Sequence, residues 1–149
     1  MKLGKILKLC IFVFIMAPIV NAEESRTYFN PRSNADGNVP PFSGAVLVGD
    51  TLYLSGTIGF KDGKVPEDPV EEARTVMNNI KRSVEAANMT MDDIVVMQVF
   101  CSDVERYYQS FNEAYRTFFK KEFPARAFLG SGTLIGNGRF EVQGIAIKR

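Results

Sequence analysis

The sequence predicts one small α+β domain of order ββαβαββ, a single sheet carrying two helices on one face. Two segments with apolar residues at helical spacing, following Asp68 and Asp103, are separated by a β-branched run over residues 94–101. Two short apolar runs joined at Gly49-Asp50 precede the first helix, and two strand-like segments divided by Gly136-Asn137-Gly138 follow the second. Each helix has one apolar stripe, so both suit the same face of a shared sheet.

The chain starts with an expected export signal over residues 1–22. Lys2, Lys5 and Lys8 are basic, Leu9 to Ala17 is uncharged, and Val20 and Ala22 are small residues before a cut after Ala22. The apolar run is shorter than the roughly 20 residues needed to span a bilayer. Lys8 and Leu9 make a poor lipoprotein site of Cys10. The expectation is a periplasmic or secreted protein without membrane attachment once the signal is removed. Residues 23–43, rich in Asn, Ser, Pro and Gly, read as a leader and loop, and Pro40-Pro41 forbids helix there. The domain itself is expected over residues 44–149.

Ala45 to Val48 and Leu52 to Gly59 are the first two strands, and Asp62-Gly63 makes the next turn. Asp68 is a good helix N-cap, Pro69 fits the first helical position, and Glu71 completes the spacing of a capping box. Val70, Ala73, Met77, Ile80, Val84 and Ala87 form one buried stripe, with Glu72, Lys81, Arg82 and Glu85 off it. Ile94 to Cys101 is apolar on both faces, and the second face needs cover, for which another subunit is the simplest source. Asp103, or Ser102 with Glu105 three residues on, caps the second helix. Its stripe is Val104, Tyr107 or Tyr108, Phe111, Tyr115 and Phe118. Ala125 to Ile135 and Arg139 to Ile147 are the last strands.

Composition excludes several chemistries. There is no histidine, which removes Ser-His-Asp and Cys-His mechanisms and the common His-based metal sites. The 18 basic and 17 acidic residues include Lys2, Lys5 and Lys8 of the signal, so the remainder is acidic by about two charges and lacks the footprint of a nucleic-acid binder. Cys10 leaves with the signal, and Cys101 alone forms no internal disulfide and reads as a buried small apolar residue.

Two charged residues stand out. Arg126, after Pro124 at a strand start, is either an edge-strand arginine paired with a surface carboxylate or a planar fork aimed at a substrate carboxylate or phosphate. On the last strand Phe140, Val142, Gly144 and Ala146 share one face, and Glu141, Gln143, Ile145 and Ile147 the other. Glu141 is there either as a functional carboxylate or at a solvent-facing strand end. Gly130-Ser131-Gly132-Thr133 lacks the helix and lysine of a phosphate loop and reads as an irregular strand.

Several segments together resemble the Rid/YjgF family of enamine/imine deaminases, also labelled L-PSP endoribonucleases. They are Leu54-Ser55-Gly56, Gly63-Lys64-Val65-Pro66, Val99-Phe100 with Ser102-Asp103, Phe111-Asn112-Glu113-Ala114-Tyr115 with Phe118-Phe119, Phe123-Pro124-Ala125-Arg126, and Glu141-Val142-Gln143-Gly144-Ile145-Ala146. The resemblance covers roughly residues 38–149. It implies a chorismate-mutase-like (YjgF-like) fold and a homotrimer with sites at the subunit interfaces. It further implies hydrolysis of reactive 2-imino acids to 2-keto acids and ammonia without cofactor or metal. Arg126 would clamp the substrate carboxylate and Glu141 would hold the water. Phe42, Ser55, Gly56, Asn112, Ala127 and Phe128 would surround the substrate. Phe42 stands where the family usually has Tyr, and Phe128 where its deaminases commonly have Cys, a position whose backbone carbonyl is used. These departures leave a second expectation, a trimeric module that binds small carboxylates without turnover. Against a ribonuclease stand the acidic charge, the absence of histidine and the export signal.

Overall fold

A computed structural model describes residues 25–29, 39–120 and 122–149, so the expected signal of residues 1–22 lies outside the described residues. The strands are β1 (Arg26–Phe29), β2 (Ala45–Val48), β3 (Thr51–Ile58), β4 (Ile94–Cys101), β5 (Ala125–Gly130) and β6 (Phe140–Ile147). The helices are α1 (Pro69–Ala86) and α2 (Val104–Tyr115). One six-stranded sheet runs in the order β1-β2-β3-β6-β4-β5. Only β4 and β5 are parallel; the other neighbours are antiparallel.

The α+β class and the order of the seven expected elements are present, with one strand added. Arg26–Phe29, expected within a leader, pairs with β2 in register from Arg26 against Val48 to Phe29 against Ala45. Three of its four residues are exposed. Backbone bonds to a sheet edge form this strand, with Phe29 packed on the core, so apolar periodicity gives little sign of it. The segment expected as strand to Ile135 ends at Gly130, and β6 starts at Phe140. Between them Gly132, Gly136 and Asn137 take positive φ, which turns the chain out of the ladder.

The helix starts follow their caps. The Asp68 carboxylate accepts the Val70 N–H at 3.1 Å with Pro69 at the first position. Glu71 does not reach back to the cap; it pairs with Lys61 at 2.6 Å. Asp103 caps α2 by accepting the Arg106 N–H at 3.0 Å. Asn88, at φ 57, ends the turn after α1, where the Met89 N–H donates to the Val84 carbonyl.

The core lies between the two helices and one sheet face. Ala73, Met77, Ile80 and Val84 of α1 are buried as expected, and Val76 joins them. They meet Leu52 and Leu54 of β3, Met97 and Val99 of β4, and Val142 of β6. The rings of Phe111 on α2 and Phe140 on β6 lie 5.0 Å apart. Cys101 is fully buried. Burial and register assign the other residues to an open face: Tyr53, Gln98, Phe100, Ala127, Leu129, Glu141, Gln143 and Ile145. Tyr53 and Leu129 are exposed there, and no described helix packs on this side. Among the described residues no helix is long and apolar enough to cross a membrane.

Candidate functional site

Arg126 sits on β5 beside Met97 of β4, and its side chain lies on the helix-covered face. Its guanidinium carbon is 4.6 Å from the centroid of the Tyr115 ring, 5.5 Å from Phe128 and 6.0 Å from Tyr108. No described carboxylate pairs with it, and its Nη1 is buried without a hydrogen-bond partner. Among the described residues, Arg126 is therefore not an arginine paired with a surface carboxylate. The arrangement is an aromatic seat holding a planar fork whose buried Nη1 has no hydrogen-bond partner.

Phe128, two residues on, points to the same side. Its ring meets Tyr108 edge-on at 5.0 Å and Phe111 at 5.4 Å. Asn112 is buried on α2, four residues after Tyr108 and three before Tyr115, hence on the same helical face as both.

The Tyr115 hydroxyl is also buried without a partner. Burial pushes its pKa up to about 12, with the nearby Arg126 charge opposing. The neutral phenol is thus favoured by folding, and its stabilisation is complete below the ordinary value of 10 and lost as pH rises from 10 to about 12. In a phenolate titration by absorbance, one of the five tyrosines is expected to ionise late, and Tyr115→Phe to remove that phase. A late phase that survives Tyr115→Phe would assign it elsewhere.

Glu141, Gly56 and Ser55 form a second group near the β3–β6 seam. β3 bulges between Leu54 and Thr57 opposite β6. A Cβ placed on Gly56 would overlap Glu141 Oε1, so the carboxylate rests against the bare backbone of the bulge. Only glycine leaves that space. Ser55 Oγ donates to the Ser43 carbonyl at 2.6 Å, and its N–H to Gly44 at 3.1 Å, tying the loop after the exposed Phe42 to this bulge. Ala127 lies on the open face of β5, in register with Gln98.

The expected site residues are thus brought together as two groups. Arg126, Phe128 and Asn112 lie on the helix side, and Ser55, Gly56 and Glu141 on the other. β4 separates β5 from β6, about 10 Å of lateral distance in addition to the change of face. Within one chain Arg126 and Glu141 do not meet.

One pair was missed in the sequence. Glu72, expected off the buried stripe of α1, is fully buried. Its Oε2 accepts from Arg139 Nη1 at 2.7 Å, and its Oε1 accepts the backbone N–H groups of Arg139 and Phe140 at 2.6 and 3.2 Å. Burial works against the Arg139 charge, but bonds to Glu72 and Tyr107 raise its pKa. The available signal was Val76, four residues after Glu72, which widens the buried face to include it.

A family model described as endoribonuclease L-PSP matches residues 33–148. The chain belongs to that family. The six-stranded sheet with two helices is its YjgF-like fold, as the sequence resemblance implied. Among L-PSP relatives, a goat (Capra hircus) protein named 2-iminobutanoate/2-iminopropanoate deaminase is 33% identical over 119 residues, covering 78% of this chain and 86% of the goat protein. The solved YjgF gene product of Escherichia coli matches with a TM-score of 0.71 at 32% identity, covering 75% of this chain and 91% of that one. E. coli TdcF, solved with bound serine, matches with a TM-score of 0.73 at 27% identity, covering 83% of this chain and 100% of TdcF.

Proposed function

We propose that this L-PSP family member hydrolyses reactive 2-imino acids to 2-keto acids and ammonia, as a homotrimer whose sites lie between subunits. The observation that carries this is Arg126, charged, seated among aromatic rings, and without an internal partner for its buried Nη1. An unpaired buried donor is costly, and a bidentate carboxylate supplies what is missing. The deaminase names of relatives such as the goat protein support the same chemistry.

Because Arg126 and Glu141 lie on opposite faces of one sheet, the site requires Arg126 of one copy and Glu141 of another. The apolar open face around Glu141 suits such a neighbour. Arg126 holds the carboxylate and stays charged throughout. Glu141 takes a proton from water as the water oxygen bonds to the imine carbon. It returns that proton to nitrogen to give the carbinolamine, then takes the carbinolamine hydroxyl proton and passes it to nitrogen as the carbon–nitrogen bond breaks, so ammonia leaves and the carbonyl of the keto acid forms. Orientation and one acid–base group suffice for this hydrolysis, which requires no metal or cofactor. We place the reaction in the periplasm or outside the cell, after removal of residues 1–22; N-terminal sequencing of exported protein is expected to start at Glu23, and a mature product retaining Met1 would refute that placement.

The test is imine loss followed by semicarbazide trapping, with an amino-acid oxidase supplying the imine. Acceleration is expected from the wild-type protein and none from Glu141→Ala. Gly56→Ala is expected to fold and to lower kcat by about a hundredfold, since the added methyl drives Glu141 off the bulge. Unchanged kcat in that variant would remove Glu141 from the chemistry.

Phe128 and Tyr108, packed ring to ring beside Arg126, favour a second reading in which the clamp binds small carboxylates without turnover. Calorimetry with 2-keto acids distinguishes it: binding that depends on Arg126, without imine hydrolysis, selects the binding module.

A further inference from the structure

Glu72 spans two parts of the chain that are 67 residues apart, and what it holds is the entry to β6. Its fully buried carboxylate accepts the N–H groups of Arg139 and Phe140, the two residues immediately before Glu141. The Arg139 guanidinium neutralises that carboxylate at 2.7 Å and donates onward to the carbonyls of Pro66 at 2.8 Å and Glu67 at 2.9 Å. Start of β6, first turn of α1 and the loop before it are thereby one unit. Glu141 follows directly, with its carboxylate against Gly56 and no room for a methyl group between them.

We propose that Glu72 is a positioning residue for Glu141: by bonding the backbone of Arg139 and Phe140 it sets where the Glu141 carboxylate lies over the β3 bulge. The role given to Glu141 rests on the imine hydrolysis proposed above. Glu72 touches neither substrate nor water. It acts through two peptide groups, so its loss shifts the water-holding carboxylate while leaving Arg126, across the sheet, as it was.

The signature is a split between kinetic constants. With substrate affinity governed by Arg126, removal of the Glu72 acceptor lowers kcat tenfold or more and leaves KM within about twofold. Glu72→Gln, which keeps an acceptor oxygen for both N–H groups, restores most of kcat. Since Glu72→Ala leaves the Arg139 charge unpaired and risks unfolding, the double variant Glu72→Met/Arg139→Met is measured beside it, removing both charges at similar volume. It is expected to fold and to show the same loss of kcat. A crystal structure of the double variant is expected to show the Glu141 carboxylate displaced from Gly56. Wild-type kcat in the folded double variant, or a loss confined to KM, overturns the proposal, as does a Glu141 that has not moved. If wild-type protein hydrolyses no imine, the proposed function falls, and the crystallographic displacement still decides whether Glu72 positions Glu141.

Discussion

Arg126→Ala is expected to lower kcat/KM for a 2-imino acid by about a thousandfold, close to 4 kcal/mol, while leaving the fold intact. The size follows from two charge-assisted bonds to a carboxylate, each contributing about 1.5–3 kcal/mol. The intact fold follows from what Arg126 lacks. Among the described residues it has no salt bridge to lose, and its buried Nη1 is already unpaired. Truncation costs its contacts with the Tyr115, Phe128 and Tyr108 rings, about 1–2 kcal/mol together. Arg126→Lys keeps the charge but not the planar fork and is expected to recover little of the activity. Parallel measurement of imine hydrolysis and thermal melting checks both halves. A variant that melts many degrees lower with unchanged kcat/KM per folded molecule would make Arg126 structural.

Glu72→Ala is expected to cost stability in addition to kcat, with a loss of about 3 kcal/mol and a melting temperature lower by roughly 10 °C. Alanine leaves the Arg139 guanidinium without its carboxylate, and two strand N–H groups without their acceptor. The Arg139 side chain retains some exposure, which places the loss at the lower end for a broken buried pair. Glu72→Met/Arg139→Met removes the stranded charge and is expected to recover part of that loss. The remaining deficit measures the two backbone bonds to Glu72 together with the Arg139 bonds to the Pro66 and Glu67 carbonyls. Denaturant melts of wild type and both variants provide the comparison, and a Glu72→Ala midpoint equal to wild type would show that the pair contributes nothing.

The two profiles correspond to two kinds of legibility. The caps at Asp68 and Asp103 and the alternation Phe140, Val142, Gly144, Ala146 are local patterns, and the elements they predict are present. That alternation already put Glu141 on the face away from the core. Ala125–Gly130 has no comparable alternation, so the face taken by Arg126 was not legible. It depends on the register of β5 against β4, with Arg126 beside Met97, and a one-residue slip would have turned it over. β1 escaped notice for a related reason, since its mostly exposed residues are held by backbone bonds to β2. Glu72 looked solvated because charge was weighed without its partner, which lies 67 residues away.

By itself the sequence determined the identities and order of every element but β1 and the family to which its motifs belong, and it singled out Arg126 and Glu141 as candidate site residues. The tertiary structure alone decided that Arg126 has no carboxylate partner among the described residues, that Glu141 faces away from it, and that Glu72 is buried against Arg139. Helix caps and apolar stripes are satisfied within a few residues and are written in adjacent letters. Strand register and buried ion pairing are settled by contacts between distant segments, where the cost of an unpaired group depends on what the rest of the chain brings beside it.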